Sequence, residues 1–178
     1  MAIDKIQSES INLADTFAFT GTVTGAGGTN TPIFFGKSAN DQTLTRGTTT
    51  KITGMTGGEI DSDTAFDGTT FTVPSGKGGT YFIYGAVTGD AGDIGQDGEQ
   101  IRMMIYKNGS RYRTSTSAPR DNYGYHYNNY VAAVVDMNGS SDYVELYGLT
   151  NKEGGTDCKI TKSHEDSTYF GAYRILTW

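Results

Sequence analysis

Alternation of apolar and polar residues with a period of two, rather than a helical spacing, marks this chain. It is clearest between Ala65 and Thr88, where Phe71 and Val73 alternate with Thr70 and Thr72, the pattern of a half-buried strand. Pro74 has no N–H to donate and ends that strand. A corner over residues 75–79 with three glycines follows, since glycine accepts positive φ. The next strand is apolar on both faces, with Tyr81, Ile83 and Val87 on one and Phe82, Tyr84 and Ala86 on the other. Such a strand needs cover on both sides, so it is expected to be central in the domain or shared with another subunit.

The same pattern places the other elements. Residues 32–36 suit a first strand, and residues 48–53 and 59–65 suit short, edge-like ones. Ile101, Met103 and Ile105 line one face of a strand over residues 101–106. Lys107-Asn108-Gly109-Ser110 is a hairpin signal, because a type I′ turn requires positive φ at both central residues. Residues 111–113 return from it. A second apolar strand is expected over 131–136, a second tight hairpin at Asn138-Gly139, and its return over 143–149. Residues 151–157 read as loop, 159–162 as a short strand and 168–176 as the closing strand. No window shows the i, i+3, i+4, i+7 spacing of a helix. The expectation is all-β, with about eight to ten strands, the number that a two-sheet antiparallel jelly roll needs.

Composition agrees. The 178 residues include 25 glycines and 12 tyrosines with 35% hydrophobic residues, a usage suited to strands joined by tight turns. The net charge is −6 and the basic residues are scattered, so the stripe that nucleic-acid binding requires is missing. No apolar run has the length of a membrane span. The lone Cys158 has no partner for an internal disulfide and reads as a small packed residue.

Several segments together resemble the C1q-like domain, a trimeric jelly roll of the tumour-necrosis-factor-like superfamily. They are Asp67-Gly68, Phe71-Thr72-Val73-Pro74 and Gly79-Thr80-Tyr81-Phe82, then Lys107-Asn108-Gly109, Asp142-Tyr143-Val144-Glu145-Leu146 and the closing Phe170-Gly171-Ala172-Tyr173-Arg174-Ile175-Leu176. The match runs from about Pro32 to the C-terminus, with Ser141 in place of the usual glycine before Asp142. The resemblance implies a homotrimer that buries aromatic strands around an axis. Tyr81, Tyr84, Met104, Tyr130 and Tyr173 are the candidates for that interface.

Residues 1–30 form a separate part: an extended arm with a thin apolar series at Ile11, Leu13, Phe17 and Phe19, running into a Gly-rich linker. Too poor in core residues to fold alone, the arm is either a disordered tail or a segment that orders by adding strands to another protein. It lacks the apolar h-region of a signal peptide. It resembles the leaders of virion proteins from marine bacteriophages, which implies assembly in a host cytoplasm and docking to the particle through Ile11, Leu13, Phe17 and Phe19. Residues 31–178 would then be the displayed jelly-roll domain.

Candidate chemistry is sparse. Residues 89–99 hold Asp90, Asp93, Asp97 and Glu99 among glycines, hard oxygen ligands that suit Ca²⁺. Their spacing departs from the calcium-loop pattern, and a solvated loop is the plainer reading. Tyr123, Tyr125, His126 and Tyr127 lie among Asn and Gly, a composition that suits adaptable contacts to a receptor such as a host glycan or envelope protein, or packing between subunits. No nucleophile elbow, phosphate loop or zinc motif is present. His126 and His164 belong to no recognisable metal motif, and Ser163-His164-Glu165-Asp166 are consecutive and cannot converge as a triad does. The sequence therefore points to a non-enzymatic virion surface protein, a fibre tip or capsid decoration, with no cofactor beyond that Ca²⁺, no nucleic acid and no membrane insertion. The alternative is a free-standing carbohydrate- or ligand-binding module.

Overall fold

A computed structural model describes residues 30–90, 98–118, 126–152, 157–162 and 168–175. Twelve strands occur among these residues. They are β1 (Ile33–Ser38), β2 (Gln42–Leu44), β3 (Thr50–Lys51), β4 (Met55–Asp61), β5 (Thr70–Thr72), β6 (Gly79–Asp90), β7 (Gly98–Lys107), β8 (Ser110–Ser117), β9 (His126–Met137), β10 (Tyr143–Lys152), β11 (Cys158–Ile160) and β12 (Tyr169–Arg174). The two-sheet antiparallel arrangement expected from the sequence is present. β10 runs on to Lys152, where a loop was expected, and β2 was not anticipated, its three residues being too few to show a period.

The first sheet has seven strands, ordered β2-β11-β6-β12-β1-β4, with β9 on the other edge of β6. The second has five, ordered β3-β10-β7-β8, with β5 beside β3 on β10. β6 pairs with β9 from Gly79 to Asp90 and, on its opposite edge, with β12 and β11. It is thus central in its sheet, paired along both edges, while of its two apolar faces only the one with Tyr81, Ile83 and Val87 meets the core.

Between the sheets lies one core. Phe34, Phe71, Tyr81, Ile83, Val87, Ile101, Met103, Ile105, Leu146 and Phe170 are buried in it. Phe34 holds the aromatic centre, with ring centroids 4.5 Å from Phe66, 4.7 Å from Phe71 and 5.1 Å from Phe170. Offset and edge-to-face pairs at such separations add to the area they bury. Cys158 is buried, as its small apolar character suggested.

The turns divide into one expected and one corrected. Asn108 and Gly109 take φ of 51° and 74° and join β7 to β8, the hairpin that the sequence indicated. Asn138-Gly139 is not a hairpin turn, because β9 pairs with β6 in one sheet and β10 with β7 in the other. The segment is a crossover between sheets, held by the Asn138 side chain. Its Oδ1 accepts from the N–H groups of Ser140, Ser141 and Asp142, each at 3.0 Å. An Asn-Gly pair marks a change of direction; it does not say which sheet receives the next strand.

Candidate functional site

In the first sheet the residues of even parity on β6 and odd parity on β1 and β12 point away from the core. The registers align them into three rows. Ile33, Tyr173, Phe82 and Val134 form one; Ile60, Phe35, Gly171, Tyr84 and Ala132 the next; Lys37, Tyr169, Ala86 and Tyr130 the third. Three of these large apolar side chains are openly exposed: Ile60 at 46%, Val134 at 55% and Tyr130 at 57%.

The aromatic members touch one another. Phe35 lies 5.5 Å from Tyr169 and 6.5 Å from Tyr84, while Phe82 lies 5.8 Å from Tyr84 and 5.5 Å from Tyr173, centroid to centroid. Tyr84 and Tyr169 meet edge to face at 6.2 Å. Five rings thus pave the middle of the sheet. Lys37 closes the third row and Asp136 lies beyond the first, so charge is kept to the margins. Burial, together with Tyr169 and Tyr173, pushes the Tyr84 hydroxyl above its ordinary pKa. Burial and Tyr130 do the same to Tyr169. These hydroxyls stay neutral well into the alkaline range, so the face is an uncharged aromatic surface.

Three of the five expected interface residues, Tyr84, Tyr130 and Tyr173, come together on this face. The other two part from it. Tyr81 points into the core with no exposed surface, and its hydroxyl donates to the Lys77 carbonyl at 2.5 Å. Alternation along a strand requires this, since residues three apart point to opposite faces. Met104 belongs to the other sheet, opposite Tyr147 and Thr114, and is 2% exposed. Phe35, Phe82, Tyr169, Ile60 and Val134 are members that the sequence reading did not select. Parity with Tyr84 and Tyr173 was the signal for Phe82 and Tyr169; Phe35, Ile60 and Val134 needed the strand order.

The arm residues Ile11, Leu13, Phe17 and Phe19, the acids Asp93 and Asp97, and Tyr123 and Tyr125 lie outside the described residues. Asp90, Glu99, His126 and Tyr127 have backbone in β6, β7 and β9, and their side chains are outside the described set. Among the described residues no three His, Cys, Asp or Glu side chains group as metal ligands.

A second polar constellation ties the crossover to the β7–β8 hairpin. The Asp142 carboxylate meets Lys107 Nζ at 2.9 Å, accepts from Asn108 Nδ2 at 2.8 Å and from the Asn138 N–H at 2.9 Å. The bond from Lys107, then that from Asn108, outweighs burial and holds its pKa below the usual carboxylate value. Lys107 also donates to the Asp136 carbonyl at 2.6 Å. All of these groups are engaged with one another, so the arrangement fastens the two sheets and offers no reactive group.

No protein-family model matches the chain, and no curated protein matches it. Among solved structures it is similar to the Eiger TNF of S. frugiperda, with a TM-score of 0.59 and 7% sequence identity. The likeness covers 82% of this chain and 93% of that one. At that identity the likeness is one of fold, a TNF-like jelly roll of two antiparallel sheets.

Proposed function

We propose that this chain is a homotrimeric, non-enzymatic display protein of a phage virion, whose subunits meet through the aromatic outer face of the first sheet. The observation that carries the reading is the pavement of Phe35, Phe82, Tyr84, Tyr169 and Tyr173, continued by Tyr130, Val134 and Ile60. Soluble monomers rarely leave a contiguous apolar patch of more than a few hundred Å² in water. Aromatic residues with little charge at the centre and charge at the margin are the composition of a protein interface. The TNF-like fold is commonly trimeric, which supports self-association through that surface. Residues 1–30 anchor the trimer to the particle, a role that rests on their likeness to virion leaders, and the remaining surface faces the host.

Light scattering on the purified chain tests the assembly. The expected mass is three times 19.1 kDa, falling to that of one chain when Tyr84→Glu sets a charge in the middle of the face. A monomeric wild-type protein refutes the reading. Deleting residues 1–30 is expected to leave the trimer intact and prevent its incorporation into particles.

A further inference from the structure

The outer face of the second sheet has no part in that assembly. On β7 and β10, the register Tyr106–Glu145 and Met104–Tyr147 puts these residues on the side away from the core, since the alternate residues Met103, Ile105 and Leu146 fill it. Tyr106 and Tyr147 are therefore diagonal neighbours across the two strands, a spacing that aromatic side chains bridge. Their ring centroids lie 4.1 Å apart, with the planes 30° from parallel. Aromatic pairs usually sit about 4.5–7 Å apart. The stacked core pair Phe34 and Phe66 is at 4.5 Å, and Tyr84 and Tyr169 of the pavement are at 6.2 Å. Carbons of the two phenol rings are thus in van der Waals contact. Both side chains are half-buried, so the pair has an edge open to solvent.

The pair has a base beside it. Glu145, opposite Tyr106 and next but one to Tyr147, is 8% exposed and takes Lys51 Nζ at 2.6 Å. Burial first, then the charge of Glu145 and a hydrogen bond to it, pushes the Tyr147 hydroxyl above its ordinary pKa. A phenol that stays protonated gives up an electron readily only when its proton leaves too, and the hydrogen-bonded carboxylate is placed to take it. A covalent bond at this point would also have an effect that the chain obtains in no other way. Its one cysteine, Cys158, is buried and cannot form an internal disulfide. A bond from β7 to β10 would constrain the unfolded chain as a disulfide does.

We infer that Tyr106 and Tyr147 are a site of oxidative cross-linking, joined by a carbon–carbon bond between the ring positions ortho to their hydroxyls. The oxidant is hydrogen peroxide acting through a one-electron acceptor of the peroxidase class. Each phenol gives up one electron and its hydroxyl proton, that of Tyr147 through Glu145 and that of Tyr106 to water. The two phenoxyl radicals couple at their ortho carbons. The hydrogens on those carbons then move to the oxygens and restore both phenols. One peroxide takes up the two electrons and two protons and leaves as two waters. The link lies within one chain, on the sheet that the proposed assembly leaves free, so it stands whether or not the first sheet makes a trimer.

Treating the full chain with a haem peroxidase and hydrogen peroxide tests it, read by dityrosine fluorescence and by mass spectrometry after proteolysis. The expected product is a peptide pair from one chain, joined through Tyr106 and Tyr147 and lighter by two hydrogens. Tyr106→Phe and Tyr147→Phe should each remove that pair. Glu145→Gln should slow its formation several-fold, and added imidazole should recover the rate, which it would not do after a merely structural loss. The cross-linked wild-type chain should melt above the untreated one, an increase that the two phenylalanine variants do not show. Absence of the joined pair in the wild type overturns the inference, as does dityrosine confined to other tyrosines or to links between chains. Formation at the wild-type rate in Glu145→Gln, or a slowed rate that imidazole leaves unchanged, overturns the role of the carboxylate. A link that leaves the melting temperature where it was overturns the stabilising effect. A monomeric protein that still forms the link refutes the trimer and leaves this site standing.

Discussion

Tyr84 lies over Gly171, its direct cross-strand neighbour, so closely that a Cβ at position 171 would stand 2.6 Å from the ring's Cζ and from its hydroxyl oxygen. The glycine is where the sheet makes room for the aromatic side chain, as a glycine beneath a cross-strand ring commonly does. Gly171→Ala forces Tyr84 off its seat. We expect a loss of about 1–3 kcal/mol from the strain and a shift of the light-scattering mass toward 19.1 kDa. Circular dichroism should still report a β-protein. A variant that keeps the wild-type mass would show that Tyr84 is not part of the contact.

Tyr81, on the other face of the same strand, sets the alkaline limit. Burial first, with Asp63 assisting and Arg174 opposing, pushes its hydroxyl up from 10.0 to about 12. A raised folded-state pKa means that the contribution is whole below pH 10 and is lost as pH climbs to about 12. Urea unfolding through that window should show falling stability. Tyr81→Phe should start about 1 kcal/mol lower, having lost the bond to the Lys77 carbonyl, and should fall less steeply. An unchanged slope would place the alkaline transition at other tyrosines.

Asp142 sets the acid limit with the opposite sign. Its folded pKa lies below 3.8, so the carboxylate's contribution is present above that value and disappears as pH falls through the folded one. Asp142→Asn removes the ionic bond to Lys107 and should cost about 2 kcal/mol at neutral pH. The cost should shrink on acidification, since the wild-type protein then loses the same bond. A pH-independent cost would mean that shape, not charge, fixes the crossover.

Gly139 has φ of 66°, and a Cβ there would stand 2.1 Å from the Gly78 nitrogen. Here the crossover and the corner before β6 touch backbone to backbone, joined by the Gly76 N–H to the Gly139 carbonyl at 3.0 Å. Neither side can yield as a flexible side chain would. Gly139→Ala should lose at least about 2 kcal/mol, read as a lower melting temperature; a variant that melts with the wild type would contradict the close approach.

What was legible in the sequence was local. Alternation revealed the class and most of the strands, and Asn108-Gly109 gave the hairpin because a two-residue turn specifies its own geometry. The double apolar face of β6 announced a strand with two faces to cover; one meets the core and the other is the aromatic pavement. Pairing was not legible. Asn138-Gly139 looks the same whether the next strand returns beside the last or crosses to the opposite sheet. The site lay in between. Tyr84, Tyr130 and Tyr173 were found by residue type, but type alone also picked Tyr81, whose parity sends it inward, and Met104, whose sheet is the other one. Phe35 and Ile60 joined the face only because β1 lies between β12 and β4, a fact that belongs to the order of strands and not to any stretch of the chain.

Along the middle of β6, Tyr81, Ile83 and Val87 serve the core while the alternate residues Phe82, Tyr84 and Ala86 serve the aromatic pavement. Substitution can therefore tune either side independently. A change of length cannot, because one inserted or deleted residue would send Tyr84 inward and Tyr81 outward and exchange the two sets at once. Distant relatives with the same two-faced strand are therefore expected to keep its phase, with any added residue taken up as a bulge.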